Sequence, residues 1–144
     1  MSDVQEGIEK MLALMESGEH VVSRLHMTDC EIDPDVELAT DLPLDPTVNG
    51  PRGALQGGLL ATLVDTIAGR LAMREVEPGS IVVTTDLTIH YLAGVTVSPA
   101  HAVASTLRRS KKSAVIRVDV YSGHGGDHAA ACTVAFRIVT PKPQ

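Results

Sequence analysis

Aromatic residues are almost missing from this 144-residue sequence, which has no Trp, two Tyr and one Phe. Unpaired nucleic-acid bases stack on aromatic side chains, and their phosphates attract basic ones. The chain offers little of either, because 18 acidic residues outnumber 12 basic ones and the net charge is −6. We therefore expect no nucleic-acid partner.

Cysteine and long apolar runs are scarce as well. Cys30 and Cys132 lie far apart in apolar stretches, which indicates reduced, buried thiols rather than a disulfide or a metal site. The N-terminus carries acids where a signal peptide carries bases, and the most apolar stretch, residues 57–73, is interrupted by Asp65 and Arg70. We expect a cytoplasmic protein without a membrane span.

The whole sequence is 44% hydrophobic and 21% charged, which is typical of a globular domain. We therefore expect one domain over residues 1–144. Charge is distributed unevenly along it. Residues 1–50 hold 12 acids and 2 bases, whereas residues 51–144 hold 6 acids and 10 bases. An anionic small ligand is therefore expected to meet the second part of the chain.

The hydrophobic pattern predicts a short helix, a long helix and six strands. Residues 1–18 form an amphipathic helix in this interpretation, with capping-box spacing between Ser2 and Gln5 and a stop at Gly18. A central, buried helix is predicted over residues 57–74. Strands are predicted at 20–30, 36–42, 81–92, 99–109, 113–122 and 128–139.

The order of these elements favours an α+β fold. Strands that follow one another without crossover helices pair antiparallel, so we expect an antiparallel sheet wrapped around the one long central helix. Such a sheet leaves exposed edges. These edges and the small-residue face of the helix predict a symmetric homodimer or homotetramer.

Asp65 is the most informative single residue. It stands on a helix face of small side chains that includes Gly57 and Gly69, and something is expected to approach that face closely. Burying an unpaired carboxylate is costly. Asp65 is therefore either tied to a structural partner, such as Arg52 or Arg70, or part of a site.

The glycines Gly57 and Gly58 follow Gln56 at the start of the central helix. They either only end the preceding loop or let a reacting group approach the free N–H groups and the helix dipole. Together with Asp65, this helix start predicts an acyl-transfer pair: a donor for a developing oxyanion, and a base or nucleophile.

Three segments of the sequence resemble one family. The run GALQGGLLATLVDTIAG at 53–69, the run TDLTIHYL at 85–92 and the basic turn RRSKK at 108–112 resemble the hotdog-fold acyl-CoA thioesterases of the phenylacetate-degradation (PaaI-like) type. The resemblance covers about residues 45–139. It implies a hotdog fold, hydrolysis of an acyl-CoA to free acid and coenzyme A without a cofactor, and active sites at a subunit interface.

The resemblance also implies roles for individual residues. Gly57 corresponds to the family's oxyanion donor, with Gly58 beside it in the substrate site, and Asp65 to the base or nucleophile. Thr84 corresponds to a hydroxyl that helps to place the attacking water. Asn49 corresponds to a family Asn or Gln before the helix, although it lies seven rather than about six residues before the triplet.

Gln56 replaces the histidine that begins the triplet in this family. Its amide donates a hydrogen bond but carries no proton or positive charge, so Gln56 is expected to orient the thioester and not to act as an acid. The basic turn has two interpretations. It either meets the phosphates of coenzyme A or forms a solvated hairpin tip, and its residues are Arg108, Arg109, Lys111 and Lys112.

Histidines give weaker signals. His124 and His128 lie in a Gly-Gly turn with no third ligand nearby in the sequence, so we expect no metal. His90 is expected to be structural, on the same strand face as Thr84. Two alternatives to a thioesterase remain: a non-catalytic acyl-CoA or lipid-binding hotdog module, and an enoyl-thioester hydratase.

Overall fold

The structure is a computed structural model that describes residues 3–31 and 33–142. Two α-helices and six strands account for most of these residues. A single 3-10 turn, Ser23–Leu25, precedes the first strand. The elements are α1 (Asp3–Glu16), β1 (Thr28–Asp29), β2 (Leu38–Leu42), α2 (Gly57–Met73), β3 (Ile81–Tyr91), β4 (Ala100–Arg109), β5 (Ser113–Ser122) and β6 (His128–Val139).

All six strands form one antiparallel sheet in the order β1-β2-β4-β5-β6-β3. Strands β4, β5 and β6 follow one another as hairpins. Strand β3 pairs only with β6 and therefore forms one edge. The predicted arrangement, an antiparallel sheet around one long helix, matches this topology.

The core lies between α2 and one face of the sheet. Leu63, Val64 and Ile67 of α2 have no exposed surface. Facing them, β4 contributes small side chains, with Ala100, Ala102 and Ala104 all buried. Small residues on the central strand allow a long helix to approach the sheet closely while the interior stays densely packed.

The α1 helix differs from α2 because none of its residues is buried. Its observed start at Asp3 and end at Glu16 agree with the predicted amphipathic segment, and Gly18 follows with a φ of +76°. The proposed cap residue Ser2 lies outside the described residues. The apolar side chains of this helix stay partly exposed and line a cavity described below.

The strand predicted at residues 20–30 is wrong. Its local side chains favour a turn: His20 Nδ1 accepts the Val22 N–H at 3.1 Å, and Ser23 Oγ donates to the His20 carbonyl at 2.6 Å. Side chains that satisfy nearby backbone groups compete with strand pairing. Only Thr28–Asp29 pairs, as a two-residue strand.

The four C-terminal strands and α2 begin and end within one residue of their predicted bounds, whereas β2 begins two residues later, at Leu38. The ladders contain three register shifts, one of them between Val120 and Tyr121 where β5 pairs with β6. The other two, in β3 and β4, change which side chains lie near α2. In β3 the register shifts between Thr84 and Asp86, and in β4 it shifts between Thr106 and Arg108.

Each bulge inserts an extra residue, so simple alternation fails beyond it. Thr84 pairs with the buried Phe136, but Asp86 pairs with Ala135 on the opposite face. His90, which follows Asp86 in that alternation, is therefore not on the face of Thr84 as predicted. Within residues 3–31 and 33–142, no helix is both long and apolar enough to cross a membrane.

The second bulge turns Arg109 toward the C-terminal end of α2. Its guanidinium donates to the carbonyls of Ala72 at 3.1 Å and Leu71 at 3.3 Å. These carbonyls belong to the last turn of the helix, where backbone acceptors lack the regular helical partners; the Leu71 carbonyl also accepts the Arg74 N–H at 3.2 Å. Arg109 therefore ties the C-terminal end of α2 to the sheet.

We predict that Arg109→Ala lowers the free energy of unfolding by about 1–2 kcal/mol, because two charge-assisted hydrogen bonds to the helix end are lost. Urea unfolding followed by circular dichroism measures the change. Arg108→Ala is the matched control, since Arg108 is exposed, and it should shift stability by less than about 0.5 kcal/mol. Equal stability of the two variants would contradict the role of Arg109.

Candidate active site

Gln56 caps the N-terminus of α2. Its backbone is extended, with φ −60° and ψ 132°, and its side-chain Oε1 accepts the Leu59 N–H at 2.9 Å. This bond satisfies one of the free donors of the first helical turn. The amide nitrogen Nε2 of Gln56 remains available to donate to a ligand.

Gly57 and Gly58 present the next two N–H groups. Among the described residues, neither N–H meets an acceptor, and the positive end of the helix dipole lies here. Tyr91 fixes the first of these residues from the sheet, because its O–H donates to the Gly57 carbonyl at 2.7 Å. The helix start is therefore an anchored pair of donors suited to an oxyanion.

Asp65 lies in the middle of α2 and is partly buried. Thr84 of β3 donates its hydroxyl to Asp65 Oδ1 at 2.8 Å. In the described part of the chain, Asp65 Oδ2 has no hydrogen-bond partner. One carboxylate oxygen is thus held in place while the other is left for a proton or an electrophile.

One of the two structural partners considered for Asp65, Arg70, is engaged elsewhere. Arg70 donates to both carboxylate oxygens of Asp29 of β1, at 2.7 and 2.5 Å. This hydrogen bond lowers the pKa of Asp29 below its usual value. Arg70 therefore neutralises Asp29 and does not hold Asp65.

Asp65 and Thr84 line a cavity of about 750 Å³ between α1, α2 and β3. This volume falls within the range of about 300–1,000 Å³ that small-molecule sites occupy. The remaining wall is mostly apolar, with Arg70, Arg74 and Thr66 as its other polar members. The apolar lining residues are Val4, Ile8, Met11, Leu38, Gly69, Met73, Ile81, Val82 and Phe136.

Within one chain the structure does not bring Gly57 and Asp65 together. Both belong to the same helix, eight residues apart, so about 12 Å separates them along its axis at about 1.5 Å per residue. A reacting carbonyl needs its oxyanion donor and its base each at about 3 Å. One chain alone therefore cannot serve one carbonyl with both groups.

Asn49 lies in the loop that packs beside the start of α2. Its backbone forms an isolated antiparallel bridge with Leu55, and the neighbouring Val48 carbonyl accepts the Gln56 N–H at 3.0 Å. The side-chain Oδ1 of Asn49 is buried without a hydrogen-bond partner. Buried polar atoms nearly always have a hydrogen-bond partner, so this unpaired oxygen is unusual. It belongs to a residue that the sequence analysis predicts to contact substrate.

The basic turn lies at the other end of the helix. Arg109 is occupied by the C-terminal end of α2, whereas Arg108, Lys111 and Lys112 are exposed. Within one chain these residues are separated from Gln56 by the length of α2. They do not join the helix start in a single pocket.

Two features of the site were missing from the sequence prediction. The sequence analysis assigned no role to Tyr91. Its contact with Gly57 depends on the bulge in β3, which turns the Tyr91 side chain toward α2. The participation of α1 in the cavity wall was also missed. The sequence predicts the apolar face of α1, but it does not show which part of the molecule that face covers.

Comparison with known protein families identifies the superfamily to which the chain belongs. The thioesterase superfamily matches residues 52–129, which is more than half of the sequence and includes both α2 and Asp65. The chain belongs to the thioesterase superfamily. This membership supports thioester hydrolysis as the general chemistry, and the predicted α+β hotdog fold is confirmed. No curated protein matches the chain.

Several solved structures are similar. BH2602 from Bacillus halodurans, crystallised with CoA, is 28% identical over 97% of this chain and 93% of that one, with a TM-score of 0.77. The thioesterase HI1161 from Haemophilus influenzae is 20% identical over 90% of each chain, with a TM-score of 0.77. A mutant form of the thioesterase PA1618 from Pseudomonas aeruginosa is 19% identical over 90% of this chain and 93% of that one, with a TM-score of 0.76.

Proposed function

We propose that this protein is an acyl-CoA thioesterase of the PaaI-like type that hydrolyses an acyl-CoA to a free acid and coenzyme A. The observation that carries the proposal is the Asp65 carboxylate, held by the Thr84 hydroxyl at 2.8 Å in the wall of a mostly apolar cavity. An apolar acyl group fits such a wall, and the carboxylate meets the thioester carbon at its edge.

In the proposed reaction, Asp65 Oδ2 takes a proton from water while the water oxygen attacks the thioester carbon. The carbonyl electrons move to oxygen, and the resulting oxyanion is held by the Gly57 N–H. When the C–S bond breaks, the thiolate leaves and is protonated. In the alternative route, Asp65 itself attacks the carbon, and water then hydrolyses the acyl-aspartyl anhydride.

The separation of Gly57 from Asp65 along α2 supports a composite site. We propose that Asp65 of one copy works with Gly57 of a second copy, in a homodimer or a homotetramer. Strand β3 supplies a suitable edge, since it is 11 residues long, pairs on one side only, and exposes Val83 and Leu87. An unpaired edge of this length favours pairing with another chain.

Coenzyme A as the leaving group is supported by the CoA bound to BH2602, the neighbour with 28% identity. Its phosphates need cationic partners. We assign this role to the exposed residues Arg108, Lys111 and Lys112, and we propose that a second copy brings them near a site that spans both subunits. Arg109 is less available, because its guanidinium holds the end of α2.

The substrate-binding role of Gly58 and Asn49 follows from their position at the start of α2. The Gly58 N–H is a free donor in the first turn of α2, and Asn49 Oδ1 is an unpaired acceptor in the loop beside the helix start. We propose that both contact the part of the thioester next to the reacting carbonyl.

We predict that Asp65→Asn lowers thiol release from an acyl-CoA panel by at least about 100-fold, because the amide is neither a base nor a nucleophile. The substitution keeps the size of the side chain, so the far-ultraviolet circular dichroism should not change. Asp127→Asn, in an exposed turn, is the control and should keep full activity. An Asp65→Asn protein that releases thiol at the normal rate would contradict the assignment.

The composite site predicts complementation between two inactive variants. Gly57→Pro removes the N–H without a change of backbone conformation. Proline fits the first helical position, and Gln56 already has the extended backbone that a residue before proline adopts. A mixture of Gly57→Pro and Asp65→Asn chains, unfolded and refolded together, should recover about a quarter of normal activity by random pairing in dimers.

Gly57→Ala is the matched control for this experiment. It keeps the N–H, and its Cβ would meet Tyr91 at an ordinary contact distance of 3.6 Å. Sedimentation at micromolar concentration should show a dimer or larger assembly. A fully active monomer, or a refolded mixture as inactive as its components, would exclude the composite site.

Substitutions of Gln56 distinguish a catalytic site from a binding pocket that does not catalyse hydrolysis. Gln56→Ala removes a donor from the site and should lower kcat/KM by an amount equivalent to about 1–3 kcal/mol. Gln56→His should change kcat/KM modestly in either direction. Gln56→Asn separates capping from catalysis, because asparagine caps a helix but its amide is one methylene shorter. Turnover by Gln56→Ala equal to that of the unmodified protein would remove Gln56 from the site.

A further inference from the structure

Four side chains with metal-binding atoms meet on the outer face of the sheet. Cys30 follows β1, Asp41 is on β2, His101 is on β4, and His124 is in the turn between β5 and β6. One ligand atom from each lies within 4.8 Å of all the others. Asp41 and His101 are direct partners across the β2–β4 ladder, so the sheet register itself brings them together.

The carboxylate of Asp41 is the centre of this cluster. His101 Nδ1 lies 2.7 Å from Asp41 Oδ1, and His124 Nε2 lies 2.7 Å from Asp41 Oδ2. Cys30 Sγ is 3.8 Å from His101 Nδ1. The Asp41 and His101 side chains are only 17% and 19% exposed, whereas His124 is 58% exposed. The cluster is therefore largely enclosed and opens to solvent on the His124 side.

This cluster is separate from the candidate active site. His101 lies between Ala100 and Ala102, which face α2, so its side chain points to the opposite face of the sheet. Asp65 belongs to α2 on the inner face. The sheet stands between the two groups, and the following inference does not depend on the proposed thioesterase activity.

We propose that Cys30, Asp41, His101 and His124 form a site for a divalent transition metal ion of the zinc class. A sulfur, two imidazole nitrogens and a carboxylate oxygen are the four donors that a closed tetrahedral zinc site uses, at about 2.0–2.3 Å from the ion. Ligand atoms around such an ion are about 3.3–3.8 Å apart by tetrahedral geometry. The observed separations reach these values through small side-chain rotations.

The charges and protons balance on binding. The Asp41 carboxylate and a Cys30 thiolate together neutralise a divalent cation, and the thiol proton passes to solvent. Each imidazole turns its lone pair to the ion, at Nδ1 of His101 and Nε2 of His124, and carries its proton on the other nitrogen. No oxidation or reduction is involved.

Other roles for these residues fit less well. Calcium and magnesium prefer six or more oxygen ligands, and this cluster offers one carboxylate. A redox-active cysteine needs a lowered pKa, which nearby cations provide, whereas a carboxylate oxygen of Asp41 lies within 4.8 Å of Cys30 Sγ. The remaining interpretation, a hydrogen-bonded network that binds no ion, is the outcome that the experiment must exclude.

The fold places further potential ligand atoms beside His124, although none lies near it in the sequence. Cys30 is a free, partly buried thiol, as expected, and it is one of these neighbours. His128, which follows His124 by four residues, does not join the cluster, because it bonds Asp119 at 2.8 Å and stacks on Tyr121. The ligands that accompany His124 come from three other segments of the chain.

The test uses the full chain, treated with a chelator and then titrated with Co²⁺ and with Zn²⁺. We expect one ion per chain by elemental analysis. Co²⁺ should give the intense visible bands of tetrahedral coordination and a near-ultraviolet thiolate-to-cobalt band. Cys30→Ala should abolish that band and weaken binding at least tenfold, and His101→Ala should weaken binding at least tenfold.

Two control variants match these substitutions outside the cluster. Cys132→Ala removes the other free cysteine, and His128→Gln removes the neighbouring histidine. Both should bind Co²⁺ with unchanged affinity and spectrum. Circular dichroism checks that every variant is folded, and Cys30→Ser replaces Cys30→Ala if the latter does not fold.

The proposal fails if the folded chain binds neither ion at micromolar concentration. It also fails if Cys30→Ala and His101→Ala bind as tightly as the unmodified chain, or if the cobalt spectrum is octahedral and lacks the sulfur band. Any of these results would leave the cluster as a hydrogen-bonded network around Asp41.

Discussion

The burial of one side of α2 against a curved sheet is the constraint on which the rest of the structure depends. Leu63, Val64 and Ile67 are completely buried there, and burying side chains of this size provides roughly 1.5–3 kcal/mol each. A helix is a cylinder, however, and one sheet covers only part of it. The uncovered side carries Asp65 and Gly69 beside the loosely packed α1, so the candidate site occupies the surface that the core leaves open.

The curvature that allows this burial also sets the polar geometry. Bulges bend strands, and the two bulges in β3 and β4 lie beside α2 contacts. The first leaves Thr84 facing Asp65, and the second turns Arg109 toward the last turn of the helix. The hydroxyl that holds the carboxylate and the guanidinium that holds the helix end thus both depend on how the sheet bends.

Sequence reasoning succeeded where the signal is local and periodic. Alternation in β5 and β6 and the apolar stripe of α2 predicted those elements to within one residue. It failed at residues 20–30, where side-chain hydrogen bonds form a turn, and at the face of His90, because a bulge leaves no mark in the hydrophobic pattern. The cluster around Asp41 was also missed, since its four residues come from segments that only the sheet register brings together. Gly57 and Asp65 were singled out from the helix start and the small-residue face of α2, and the family resemblance added Thr84.

In the proposed mechanism, the rigidity of α2 makes catalysis depend on assembly. Because Gly57 and Asp65 are fixed on one helix about 12 Å apart along its axis, side-chain rotation cannot bring both to one carbonyl. A second copy can, if the helix start of one chain faces the middle of the other. The exposure of Thr84 and Gln56 in a single chain fits such a half-site. Changes at the β3 edge would then affect catalysis through assembly, even when they touch no substrate, and the free energy of association would become part of the stability of the active site.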